Sequence, residues 1–167
     1  KNEKESSEEA LWLIRHSTAH VMAEAIVDLF PGTELVYGPP VENGFYYDVK
    51  PPKNCTIKLE DLKKIESRMQ EIIDENRLFT RYELLADEAI NKIKSEGSKY
   101  KLDNAEKAIA NGSKNISWYV NGTTKENFED LCKGPHLPST NKIGAFKIMS
   151  LAASHWHGDV NSDSLLR

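Results

Sequence analysis

Along residues 7–30, SEEALWLIRHSTAHVMAEAIVDLF, the positions Leu11, Ile14, Thr18, Val21, Ala25 and Leu29 recur at helical spacing and form one stripe. Ser6 with Glu9 spells a capping box, Glu8 and Glu9 load the first turn with negative charge, and Phe30-Pro31-Gly32 supplies a stop. A second helix is predicted over 58–78, with Leu59, Leu62, Ile65, Met69, Ile72 and Ile73 on its apolar side. A third is predicted over 86–95, closed by Gly97, and a short one over 103–110. Between them lie β-prone runs at 33–37, 44–49, 80–85, 115–120 and 144–151, the last read as a core strand. Asn43-Gly44 reads as a tight turn, and Asn111-Gly112 with Asn121-Gly122 bracket a strand that leads as a hairpin into Asp130. In Gly44-Phe45-Tyr46-Tyr47 alternate aromatics face opposite sides, with Phe45 or Tyr46 expected in the core. The pattern predicts an α+β fold, long helices packed on a mainly antiparallel sheet whose strands lie far apart in sequence.

Composition narrows the class. A chain of 167 residues can bury a core unaided, which weakens any reading as a metal-stapled structural domain. No apolar stretch is long enough for a membrane span, and the Lys- and Glu-rich start has no signal-peptide pattern. With Cys55 and Cys132 alone there is no disulfide framework, so a reducing, cytoplasmic compartment is expected. Cys55 reads as a passive thiol. The net charge of −4 is poorly suited to holding nucleic acid tightly, because phosphate binding depends on Lys and Arg. Residues 1–8 read as a charged linker and 9–167 as the domain, with a small inserted subdomain around 50–85; the chain reads as a segment of a longer protein.

The candidate chemistry sits in two short motifs. His16 and His20, at i and i+4, project from a common helix face. In DLCKGPHLPST, residues 130–140, Cys132 and His136 repeat the four-residue spacing across a Gly-Pro break that calls for a loop. His-x3-His and Cys-x3-His together offer four ligands whose identity permits a tetrahedral zinc, His16, His20, Cys132 and His136. Asp130, two residues before Cys132, shares its face on an extended segment. Lys101, by composition alone, is an ordinary exposed lysine.

RHSTAH (15–20) and DLCKGPHLPST, with GPPVENGFYYDV (38–49), SKYKL (98–102) and AFKIMSLAASHWHGD (145–159) followed by LLR, resemble the second N-terminal, editing domain of threonyl-tRNA synthetase. That domain is shared in outline with alanyl-tRNA synthetase. The resemblance runs in order from Glu9 onward. It implies hydrolysis of seryl-tRNA mischarged for threonine, at a cleft between the first helix and the Cys132 segment. It implies catalytic roles for His16, His20, Lys101 and Asp130: His16 activates water, or a water is held between His20 and Lys101, and Asp130 grips the seryl amino group. Cys132 would form the pocket floor that excludes the extra methyl, His136 a polar wall, and Tyr47 an aromatic wall. By the same resemblance no metal is required for editing, although the alanyl branch binds zinc with this set. The implied partners are the 3′ end of tRNA(Thr) and the rest of the synthetase chain. His155 and His157 stand where tyrosine and arginine are common, and no role is carried to them. Two rivals remain: a zinc-dependent alanyl-type hydrolase, and an inactive tRNA-contacting spacer.

Overall fold

In the computed structural model, which describes residues 2–167, the chain is α+β: four helices against antiparallel sheets. The first helix, α1 (Glu3–Leu29), is the axis of the molecule. It starts earlier than its apolar stripe: Asn2 is the N-cap and exchanges the capping-box hydrogen bonds with Glu5. Ser6 and Glu9 are therefore not the cap; both lie inside the helix, and residues 3–8 form an exposed, charged first segment. An Asn side chain accepts the N3 amide as well as a Ser hydroxyl does, and the upstream pair gains extra turns of helix. The stripe is also not one-sided. Ser17 to Ile26 are buried on every side, whereas Leu11 and Leu29 at its ends are exposed. A helix enclosed all round in its middle marks the centre of a fold rather than its flank.

After α1 come β1 (Glu34–Tyr37), β2 (Pro40–Val41), β3 (Gly44–Phe45) and β4 (Asp48–Lys50). The run at 44–49 is thus split in two, and the β2–β3 turn falls on Glu42-Asn43, with Gly44 already in strand. Of the three aromatics that follow, Tyr47 is the buried one, at 6% exposure, and Phe45 only packs against the core edge. Tyr46 lies outside, under the Arg167 guanidinium.

A single 3₁₀ turn, Leu59–Asp61, leads into α2 (Leu62–Asp74), so the helix expected over 58–78 is shorter at both ends. Leu59 is exposed, while Ile65, Met69, Ile72 and Ile73 pack against Val21, Ala25 and Ile26 of α1 in the main core. Next are β5 (Phe79–Leu85), α3 (Ala86–Glu96, closed by Gly97 in a left-handed conformation) and α4 (Lys99–Ala110). The last helix begins four residues earlier than expected because the Ser98 hydroxyl accepts the Lys101 amide as its N-cap. Then follow β6 (Asn115–Asn121) and β7 (Glu129–Leu131), which pair as the predicted hairpin, Tyr119 opposite Asp130.

β5, β6 and β7 form one antiparallel sheet. Its Trp118 face is covered by α3 and α4 through Ala89, Ile93 and Ala105, and its Phe79 and Tyr119 face meets the α1 core. The strand expected over 144–151 does not form. That segment is irregular, and the chain instead ends in the hairpin β8 (Ala153–His155) and β9 (Ser164–Leu166). Phe146, Ile148 and Leu151 still pack on the main core, but Met149 is 79% exposed and, among the described residues, no neighbouring strand offers a ladder. β8 and β9 complete a second antiparallel sheet in the order β1-β4-β9-β8. Among the described residues no helix is long and apolar enough to cross a membrane.

Candidate functional site

The middle of α1, the start of α4 and the loop after β7 converge on one cleft of about 460 Å³, lined in part by Trp12, His16, His20, Tyr47, Lys101, Asp130 and Cys132. Helical spacing sets His16 and His20 on adjacent turns, their ring centroids 5.7 Å apart. The β7 strand carries Asp130 to the same place and hands the chain to Cys132, whose amide and carbonyl are both held by Ser117 of β6. A ligand-capable atom from each of His16, His20, Cys132 and His136 lies within 4.8 Å of the others.

The hydrogen bonds around the thiol are directional. His16 Nδ1 sits 3.1 Å from the Pro135 carbonyl, an acceptor, so this nitrogen carries the proton and Nε2 is left bare. Nε2 stands 3.3 Å from Cys132 Sγ, and His136 Nε2 is 3.2 Å from the same sulfur. Ser17 Oγ accepts the Leu137 amide at 2.9 Å and lies 3.0 Å from His136 Nδ1. The Ser17 hydroxyl then donates to His136 Nδ1, His136 Nε2–H and the Gly134 amide point at sulfur, and the thiol proton goes to His16. His136 stands behind the two α1 histidines, its ring 4.1 Å from His16 and stacked on Phe79 on its other side. Burial pushes the Cys132 thiol up to about 12, so it is protonated and no nucleophile at neutral pH.

Burial also lowers both α1 histidines, His20 down to about 4, and lowers His136 in the same direction. They are neutral bases rather than cations near neutrality. Because the folded state refuses protons that an unfolded histidine accepts, stability is full above an ordinary histidine's pKa of about 6.5 and falls as pH drops from there toward His20's folded value, by about 3 kcal/mol for that residue. The urea midpoint is expected to drop more between about pH 7 and pH 4.5 in the parent than in a His20→Asn variant. An equal drop in both removes His20 from the linkage.

Opposite the histidines, Asp130 is buried and gathers two hydrogen-bond donors and a cation. Its Oδ1 accepts the Leu131 amide at 2.9 Å and faces Lys101 Nζ at 3.6 Å, and its Oδ2 accepts the Tyr47 hydroxyl. The Tyr47 phenol, buried against that carboxylate, is held well above its usual range and stays a donor. Gly38 is required by this wall: a Cβ there would sit 2.2 Å from the Tyr47 ring. Gly38→Ala is expected to push the ring off Asp130 and lower turnover by about a hundredfold, since misplacements near 1 Å have effects of that size. An unmoved Tyr47 and unchanged turnover would contradict this.

All seven residues singled out from the sequence therefore meet at one place. His155 and His157 do not join them. They line an adjoining cleft with Asp48, Lys107 and Arg167, where His157 stacks on Trp156 and pairs with Asp103. Sequence reasoning missed Trp12, packed at 4.7 Å on His16, and Ser17 and Asn121, polar residues that are fully buried. Trp12 had a signal, its i, i+4 relation to His16; the other two had none, because their partners are distant in the chain.

Which residues could hold a metal is answered by donor chemistry. Sulfur-to-nitrogen separations of 3.2 and 3.3 Å are close to the edges of a tetrahedron with zinc-to-ligand bonds of about 2.0–2.3 Å. The outer contacts of His16 with a carbonyl and His136 with a hydroxyl are of the kind that orient metal-bound imidazoles. The donor chemistry of His16, His20, Cys132 and His136 thus suits zinc, and their ligand atoms, spread over up to 4.8 Å, would draw closer around it.

A family profile described as "Threonyl and Alanyl tRNA synthetase second additional domain" matches residues 120–167. The chain is similar to threonine–tRNA ligases of Paramagnetospirillum magneticum (46% identical over 163 residues, 97% of this chain) and Caulobacter sp. strain K31 (45% over 162 residues, 96%). It is similar also to that of Marinobacter nauticus (41% over 163 residues, 98%). In each case it spans 24% of the relative's length.

Proposed function

From the premise that the chain belongs to the threonyl and alanyl tRNA synthetase second additional domain family, on its threonyl branch, we propose that it hydrolyses seryl-tRNA mischarged for threonine. The observation that carries this is the single cleft in which neutral imidazoles face an Asp130–Lys101 pair. An aminoacyl ester is already reactive, so an oriented water and stabilisation of the developing oxyanion suffice. The need for such a step is physical: one methyl discriminates serine from threonine by only roughly 10–200-fold.

With His16 Nε2 already accepting the hydrogen bond of the thiol, His20 is the histidine left to receive a proton from water. That water is held between His20 and the Lys101 ammonium, which faces the charge that grows on the ester oxygen. Asp130, a buried carboxylate facing the cleft, binds the seryl ammonium. Cys132, neutral and fixed between two imidazoles, shapes the floor against the threonine methyl, with His136 behind it and Tyr47 as the wall.

Zinc, if one of the four side chains gave up its place, would supply a Lewis acid for the ester carbonyl or an activated water. A zinc held by all four side chains has no open position for water, so the metal-free arrangement is the one proposed here. An alanyl-type zinc hydrolase is the second reading, favoured by the ligand fit alone. The net charge of −4 assigns most tRNA affinity to the remainder of a synthetase chain, with only the 3′ end delivered to this cleft. A cytoplasmic location goes with that role.

Binding of a non-hydrolysable seryl-adenosine analogue tests the reading, with zinc measured on the same sample. Saturable binding of the seryl analogue by metal-free protein, and at least tenfold weaker binding of the threonyl one, is expected. Equal binding of both would remove the selectivity, and binding only with stoichiometric zinc would favour the second reading.

A further inference from the structure

One buried residue outside the cleft bears directly on His20. Asn121, the last residue of β6, is fully buried, and its side-chain nitrogen donates to the His20 carbonyl and to Glu24 Oε1, both at 3.2 Å. Both partners are acceptors, which fixes the orientation of the amide. Glu24 is held in turn by Arg77, at 2.9 and 2.7 Å, and Arg77 also donates to the Asn121 carbonyl at 3.2 Å. The amide cannot flip without breaking this network.

The oxygen of that amide, Oδ1, is buried with no formed hydrogen bond, and so is His20 Nδ1. Two orphaned polar atoms on residues already joined through backbone and amide are costly, at about 1–3 kcal/mol each, unless they serve one another. The Asn121 side chain also raises the proton affinity of the His20 ring, against the larger, lowering effect of burial.

We infer that Asn121 is the positioning residue for His20: its Oδ1 accepts Nδ1–H, fixes the ring's tautomer and leaves Nε2 bare for the cleft. His16 is set the same way by the Pro135 carbonyl, so both α1 histidines are held as Nδ1–H tautomers by fixed oxygens. The third group that orients a catalytic base is here an amide rather than a carboxylate, which keeps the imidazole neutral. The consequence for turnover rests on the seryl-ester reading above; the tautomer does not.

Long-range proton–nitrogen NMR of the labelled protein near neutral pH reads the tautomer directly. His20 is expected to show a protonated Nδ1 and a bare Nε2. Asn121→Leu, which removes the acceptor, is expected to shift His20 toward Nε2–H and to lower seryl-ester hydrolysis by about 10–100-fold, with His16 unchanged. Asn121→Asp, which keeps an acceptor, is expected to retain the tautomer. An Nε2–H His20 in the parent overturns the inference, as does an unaltered tautomer in Asn121→Leu. Where Asn121→Leu does not fold, the parent spectrum decides. A parent that shows the expected tautomer but hydrolyses no seryl ester upholds Asn121 and sinks the proposed reaction.

Discussion

Replacing Lys101 with methionine is expected to lower seryl-ester hydrolysis by about two to three orders of magnitude, the loss seen when one preorganised oxyanion donor is removed. The ammonium is placed by α4, whose first turn is fixed at Ser98, and its side chain is 18% exposed at the cleft. Methionine keeps most of the apolar stem and deletes only the charge. Stability should fall by about 1–3 kcal/mol, because the pair is largely buried and Asp130 loses its counter-charge. At 3.6 Å from Asp130 the ammonium is an ion-pair partner rather than a close hydrogen-bond donor, and the carboxylate keeps Tyr47 and the Leu131 amide. Single-turnover rates and urea unfolding of the same preparation check both parts. A Lys101→Met protein of full activity takes Lys101 out of the reaction, and one that unfolds readily makes it a structural group.

Asp130→Ala should behave differently, losing activity and fold together. The truncation strands the buried Tyr47 hydroxyl, the Leu131 amide and a half-buried ammonium, at a combined cost of about 2–4 kcal/mol. Asp130→Asn separates the two effects. It keeps an acceptor for one donor, so most of the stability returns, but it cannot pair with the seryl ammonium. A charged hydrogen bond is worth about 1.5–3 kcal/mol, so kcat/KM is expected to fall by about a hundredfold in Asp130→Asn. Parent-like kcat/KM in Asp130→Asn would mean that the amino group is recognised elsewhere.

The parts of this fold that could be read along the chain are those whose reasons are local. α2 and α3 show their apolar faces in the sequence, and the β6–β7 hairpin follows from its bracketing turns. His16, His20, Cys132 and His136 announced themselves by spacing and ligand type. What escaped depends on distant partners. The helix start at Asn2 outcompetes Ser6 because the intervening charged residues extend α1 at little cost. Residues 144–151 read as a core strand, yet among the described residues no neighbouring strand pairs with them, so Phe146, Ile148 and Leu151 only pack. Tyr47 rather than Phe45 or Tyr46 is buried because Asp130, 83 residues away, offers its hydroxyl an acceptor. Ser17 and Asn121 look like ordinary polar residues until β6 and the loop after β7 close over α1.

The most direct test of the central claim is deacylation of seryl-tRNA and threonyl-tRNA, both made on the threonine isoacceptor, by metal-free protein. Serine is expected to be released and threonine retained. Hydrolysis of neither ester, with tRNA delivered by a complete synthetase carrying this domain, would contradict it.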